Sequence, residues 1–312
     1  MEVLILTLTV NPAIDRTITV DRLVFEDRAY ITSSKESAGG RGINAASVIQ
    51  SFGGKAVAIL PAGGNSGACF EELLKSAGYE VVIVPVRSGV RKNLIITDKQ
   101  GLTVKLNEPG ATLDRAELGR LEKVVREKLA QASWFMICGS LPPGVPAGFY
   151  PRLIAAAHKQ GVKTLLDTDG DALEAGIAAK PTVVTPNQQE AERLLNTALL
   201  TRTHFLQAAL RIRRMGAESV LLSLGNRGAV AAFNHEIVEA VPPRVDAIAP
   251  IGAGDAMHAA FAWSMERDND YRDALRWGVA AGTASAKLPG MRFATLEQTQ
   301  EIYRQVEVRQ AD

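Results

Sequence analysis

A carboxylate placed directly behind a run of small residues is the sharpest chemical feature of this sequence. In Ile251-Gly252-Ala253-Gly254-Asp255-Ala256, followed by Met257–Met265 with helical character, the small side chains let backbone N–H groups converge at a helix start. The helix dipole favours negative charge there as well. Gly252, Ala253 and Gly254 would form an anion hole. Asp255 beside it could take the proton from a hydroxyl as that hydroxyl attacks phosphorus, while the amides hold the developing charge. Taken alone, the segment is equally a glycine-rich turn with an N-capping aspartate.

Three further segments carry donors at usable spacing. Ala38-Gly39-Gly40-Arg41-Gly42-Ile43-Asn44 opens an Ala-rich helical stretch. Its glycines permit close ligand approach, Arg41 offers a planar donor fork, and Asn44 offers both a donor and an acceptor. It has neither the Gly-Lys-Ser/Thr ending of a P-loop nor the spacing of a dinucleotide fingerprint, and a helix-initiating turn explains it as well. In Thr185-Pro186-Asn187-Gln188-Gln189-Glu190, Asn187 and Glu190 share a helical face. They could hold the hydration shell of Mg²⁺, or form an N-cap with its partner. Ser223-Leu224-Gly225-Asn226-Arg227-Gly228 closes a strand with a turn that can skirt a phosphate or a planar group. Asp167-Thr168-Asp169-Gly170-Asp171 resembles a calcium loop, but Ala172 and Ala178 occupy the glycine and bidentate-acid positions, so a calcium site is excluded. His158, His204, His235 and His258 have no zinc-ligand spacing and read as solvated or core histidines.

Elements that could position these residues alternate after about residue 131. Ala132–Cys138, Lys163–Asp167, Pro181–Val184 and Ser219–Leu224 read as strands, and Gly148–Gln160, Gln188–Leu195 and Thr203–Met215 as amphipathic helices. This is the pattern of βαβ units around a mostly parallel sheet. Arg16–Leu23 and Asn93–Leu106 instead alternate apolar with polar, with a hairpin turn expected at Asp98–Gly101. Strands with one wet face predict a small separate sheet that would cover a cleft. Val279–Ala286 reads as close helix packing rather than a pocket wall.

The 312 residues, 46% hydrophobic, suffice for a large core, and 35 basic against 34 acidic residues give a net charge of +1. No global field draws the chain to nucleic acid or to a membrane, so an anionic ligand must be captured locally. Met1–Val10 is expected to be a buried first strand rather than a leader. With no apolar run of about 18 residues and only Cys69 and Cys138, a reduced, cytoplasmic protein is expected.

Asn11-Pro12-Ala13-Ile14-Asp15, Gly39–Asn44, Gly139-Ser140-Leu141-Pro142-Pro143-Gly144, Pro186–Glu190, Ser223–Gly228 and Gly252–Asp255 occur in the order seen in the ribokinase-like PfkB carbohydrate kinases. The chain resembles the phosphosugar branch of that family from Leu6 to about Val306. The resemblance implies one kinase domain over 1–312, a three-layer αβα sandwich with a β-sheet lid drawn from about 11–35 and 88–108, and ATP with Mg²⁺ as cofactors. It also implies a homodimer formed through the lid. Asp15, Gly40, Arg41 and Asn44 would contact the sugar, and Arg91 with Ser140 its phosphate. Arg28 would serve a phosphate of the neighbouring subunit. Asn187, Ser223, Gly225 and Gly228 would bind ATP, Glu190 would hold Mg²⁺ through water, and Gly252–Asp255 would supply the anion hole and base.

Five positions depart from the branch. Thr185 and Arg41 stand where lysines are common, Ala249-Pro250 replaces a hydroxyl-bearing pair associated with monovalent cations, and Ala256 replaces a serine. The expected activity is transfer of the ATP γ-phosphate to a primary hydroxyl of a ketohexose phosphate. Fructose 6-phosphate leads over fructose 1-phosphate and tagatose 6-phosphate. The alternatives are a non-catalytic or regulatory sugar-phosphate-binding protein of the same fold, or a kinase for a free sugar or nucleoside.

Overall fold

The structure, a computed structural model, describes residues 4–24, 26–234 and 236–311. The expected first strand is therefore seen from Leu4, and His235 and Asp312 lie outside the described residues. Strands are β1 (Leu4–Thr9), β2 (Ala13–Val20), β3 (Ile31–Gly39), β4 (Lys55–Gly63), β5 (Glu80–Val86), β6 (Arg91–Asp98), β7 (Thr103–Asn107), β8 (Trp134–Cys138), β9 (Lys163–Asp167), β10 (Val183–Val184), β11 (Ser219–Ser223), β12 (Ala229–Phe233), β13 (Glu236–Val241) and β14 (Glu307–Gln310). Helices are α1 (Arg41–Ser51), α2 (Gly64–Leu74), α3 (Arg115–Leu129), α4 (Phe149–Lys159), α5 (Gly170–Ala178), α6 (Gln188–Leu195), α7 (Arg202–Arg214), α8 (Ala253–Asp268), α9 (Tyr271–Ala286) and α10 (Leu296–Tyr303).

Runs such as Leu-Ile-Leu-Thr-Leu-Thr in β1 and Trp-Phe-Met-Ile-Cys in β8 are buried nearly throughout, which suits parallel strands covered on both faces. They belong to a ten-stranded sheet ordered β14-β13-β12-β11-β10-β9-β8-β1-β4-β5. Neighbours from β5 through β11 are parallel, and β12, β13 and β14 join antiparallel. One apolar layer packs α3, α4, α5, α6 and α7 on the sheet, and the opposite layer packs α1, α8, α9 and α10. The expected three-layer αβα arrangement is thus present. Among the described residues, no helix is long and apolar enough to cross a membrane.

A second, four-stranded sheet is ordered β3-β2-β6-β7. The hairpin between β6 and β7 forms at the expected turn, where Oδ1 of Asp98 accepts from the N–H groups of Gln100 and Leu102 at 2.9 Å. β3 extends to Gly39 and leads through Gly40 directly into α1, so the glycine-rich turn joins the small sheet to a helix packed on the large one. Beneath the small sheet, Ile14 of β2 packs with Ile43, Leu60, Phe70 and Val90.

Candidate active site

The parallel strands end in register: Thr9 pairs with Cys138, and Cys138 with Asp167. The carboxyl ends of parallel strands are where α/β sheets open a ligand crevice. Beyond that row, Asn187 bridges to Ser223. Helix starts converge on this edge from both faces of the sheet, α1 and α8 from one side and α6 from the other.

α8 is capped by Gly252, whose φ of 79° lies in the left-handed region. A Cβ added there would stand 2.9 Å from Cε1 of Phe293, so both the conformation and the space select glycine. The N–H of Ala253 turns back to the carbonyl of Pro250 at 3.3 Å, and that of Ala256 bonds Gly252 O at 2.9 Å. The N–H groups of Gly254 and Asp255 have no backbone acceptor among the described residues and remain open to an anion. Asp255 accepts a 2.6 Å hydrogen bond on Oδ2 from Nδ2 of Asn44. Burial, reinforced by the negative charge of Asp167, raises the Asp255 carboxyl to about 6 against the opposing pull of Asn44, Arg41 and His258. That value suits a general base working near neutrality.

Arg41 opens α1 and spreads its fork over three carboxylates. Nη1 meets Asp167 Oδ1 at 2.7 Å, while Nη2 meets Glu190 Oε1 at 3.3 Å and Asp169 Oδ2 at 3.4 Å. Burial pushes the Asp167 carboxyl up, but Arg41 and then His258 outweigh it and hold it well below the usual range. Glu190 is held above its ordinary value by burial, with Arg41 opposing. Asn187 caps α6 reciprocally with Glu190: each side chain accepts the other's backbone N–H at 2.9 Å. The capping role and a place in the cluster coexist. Thr185 is buried and donates to the carbonyl of Leu166 at 3.3 Å.

On the small-sheet side, Asp15 is 4% exposed and accepts from Nδ2 of Asn93 at 2.8 Å. Burial raises its carboxyl, with Asn93 and Arg91 opposing. Arg91 and Ser140 meet at Asn11: Nη2 of Arg91 donates to Asn11 O at 3.2 Å, and Asn11 Nδ2 donates to Ser140 Oγ at 3.3 Å. Arg28 sits on the exposed connection between β2 and β3, and no bond joins its side chain to the cleft among the described residues.

Asn187, Ser223, Gly225 and Gly228 line a cavity of about 950 Å³ with Gly254 and Gly282. α9 therefore does two things. A Cβ at Gly282 would lie 2.9 Å from Ala253 O, which is the close packing expected of Val279–Ala286, yet Val279, Gly282, Thr283 and Ala286 also form the cavity wall. Sequence reading missed that wall, the role of Asp167 and Asp169 as partners of Arg41, and the approach of His258 to Asp167. The position of Asp167 at the end of a buried strand was the available signal.

A family model described as pfkB family carbohydrate kinase matches residues 7–298. The ATP-dependent 6-phosphofructokinase isozyme 2 of Escherichia coli K12 is 35% identical over 302 residues, spanning 96% of this chain and 97% of that one. A crystal structure of phosphofructokinase-2 from Escherichia coli, in complex with substrates and products, superposes with a TM-score of 0.90, covering 97% of this chain and 99% of that chain at 35% identity. Arabidopsis thaliana ribokinase complexed with ribose and ATP shares the fold, with a TM-score of 0.77 at 18% identity over 97% and 99% of the two chains.

Proposed function

This chain belongs to the pfkB family of carbohydrate kinases, and from that premise we propose that it transfers the γ-phosphoryl group of ATP to a primary hydroxyl of a ketohexose phosphate, fructose 6-phosphate being favoured. The carrying observation is the 2.6 Å contact between Asn44 and Asp255. It joins the glycine-rich turn below the small sheet to the helix start that borders the cavity, so a sugar hydroxyl and a nucleotide's terminal phosphate can meet at one carboxylate.

In this reading Asp15, Asn44 and the Gly40–Arg41 turn hold the sugar, while Arg91 and Ser140 face its phosphate. Asn187, Ser223, Gly225 and Gly228 line the nucleotide's side. The hydroxyl gives its proton to Asp255 as its oxygen bonds to the γ-phosphorus, the bond from phosphorus to the bridging oxygen breaks, and ADP departs. The open N–H groups of the Gly252–Asp255 turn meet the charge spread over the phosphoryl oxygens. Among the described residues, no cluster of three or more His, Cys, Asp and Glu side chains could ligate a metal directly. Glu190, whose oxygens keep lone pairs beyond those used by Asn187 N–H and Arg41, would hold Mg²⁺ through water, and the ion would offset the charge of the nucleotide phosphates.

The small sheet would act as the lid over the sugar. Its exposed apolar side chains, Tyr30, Ile31, Leu102 and Leu106, support pairing with a second copy in a homodimer, which would bring Arg28 toward the partner's sugar phosphate. A cytoplasmic setting fits the free thiols of Cys69 and Cys138.

Coupled ADP release measured over phosphosugars, free sugars and nucleosides tests the assignment. The highest kcat/KM is expected with fructose 6-phosphate. Turnover of a nucleoside with none of any phosphosugar would overturn it.

A further inference from the structure

Two buried polar atoms on β6 have no hydrogen-bond partner among the described residues: Nε of Arg91 and Oδ1 of Asn93. They belong to residues two apart, so both side chains leave the same face of the strand. That face is turned from the Ile14 packing, since Ile14 pairs with Lys92 while Asp15 pairs with Asn93. It looks onto the glycine-rich turn, where a Cβ added to Gly39 would collide with the Asp15 carboxylate. Buried polar groups are costly when unpaired and call for a partner that the chain itself does not supply.

The two atoms have opposite needs. Arg91 gives Nη1 to Glu108 O at 2.8 Å and Nη2 to Asn11 O at 3.2 Å, which leaves its Nε–H seeking an acceptor. Asn93 gives Nδ2 to Oδ1 of Asp15 at 2.8 Å. Turning the amide over would set its oxygen against the carboxylate, so Oδ1 is held away from Asp15 and seeks a donor. The cation calls for an anion and the neutral amide oxygen for an O–H. An anionic group and a hydroxyl, their protein partners roughly 7 Å apart along the strand, are what a phosphorylated polyol presents.

We propose that Asn93 is a specificity-determining residue whose Oδ1 accepts a secondary hydroxyl of the phosphosugar, while its Nδ2 keeps Asp15 turned to a second hydroxyl. The reach from Arg91 to Asn93 is set by one strand. The amide oxygen therefore selects a hydroxyl at one distance from the phosphate and of one configuration. An acceptor that lacks this hydroxyl, or carries it inverted, leaves Oδ1 unpaired again. This rests on the reading that the acceptor is a ketohexose phosphate.

The test compares kcat/KM of the native full chain and of Asn93→Ala with fructose 6-phosphate and its 3-deoxy and 4-deoxy analogues, at saturating ATP and Mg²⁺. In the native chain at least one analogue is expected to fall about tenfold or more below fructose 6-phosphate. In Asn93→Ala that deficit is expected to shrink to less than about twofold, because the variant no longer has the acceptor that the missing hydroxyl would satisfy. Deficits for both analogues that are unchanged in the variant overturn the proposal, leave Asn93 as a support for Asp15, and keep the kinase reading intact. Absence of turnover with every phosphosugar in the native chain overturns both. Should Asn93→Ala fail to fold, Asn93→Ser, which also withdraws the acceptor, is read in the same way. Analogues that both stay within about twofold of fructose 6-phosphate in the native chain overturn the proposal without any variant.

Discussion

Nδ2 of Asn44 donates to Oδ2 of Asp255 at 2.6 Å across a separation of 211 residues, and this one bond closes the cleft's floor. It fixes the carboxylate relative to the sugar side while leaving Oδ1 available to a hydroxyl. A carboxyl raised by burial and by Asp167 to about 6 gives that oxygen a proton affinity suited to its task.

Asp255→Asn is expected to lower kcat by at least about 100-fold with sugar-phosphate binding preserved, because loss of a base acts on the transition state. In the native enzyme only the ionised form accepts the proton. Turnover should fall as pH drops through about 6 and level off above it. Steady-state rates from pH 5 to 9 check this, and a flat profile together with an active Asn variant would remove Asp255 from the role.

The same group costs stability. Its pKa is higher in the folded chain than in the unfolded one, so its stabilising contribution is complete below about 3.8 and is lost as pH rises through about 6. At pH 8 the half-buried ion is a burden of about 1–3 kcal/mol. Asp255→Asn should therefore be more resistant to urea than the native chain at pH 8 and indistinguishable from it near pH 4. Equal midpoints at both pH values would contradict the assigned environment.

Arg41→Ala leaves Asp167, whose side chain is 4% exposed, without its strongest partner. Removing one member of a buried pair is worth about 3 kcal/mol. Arg41→Lys keeps a charge but cannot span three carboxylates, and should recover less than half of that loss in chemical denaturation. A lysine variant as stable as the native chain would show that the fork is dispensable.

Gly252→Ala meets two obstacles, a left-handed backbone at φ 79° and Phe293 at 2.9 Å. Expected are about 1–2 kcal/mol of lost stability and a drop in kcat exceeding the change in either KM, since the turn serves the transition state. A substitution silent in kcat would detach the Gly252 turn from catalysis.

The sequence determined by itself the features that depend on near neighbours along the chain. Small residues before Asp255 specify an open helix start. The three-residue spacing from Asn187 to Glu190 permits a reciprocal cap, which forms, and wet-faced alternation in β2 and β6 predicts a sheet apart from the buried parallel one. Each is set by backbone geometry within a turn or two of helix or strand. Only the tertiary structure decided which distant groups share charge. Arg41, offered by its sequence context to a ligand, also gathers Asp167, Asp169 and Glu190, and His258, unremarkable in spacing, is pressed against Asp167. Val279–Ala286 shows the same division, since its small residues predict close packing but the cavity along their other side depends on where Ser223–Gly228 arrives. Ion pairing and cavity walls arise where strand order and register bring separate segments together, and no local period encodes that meeting.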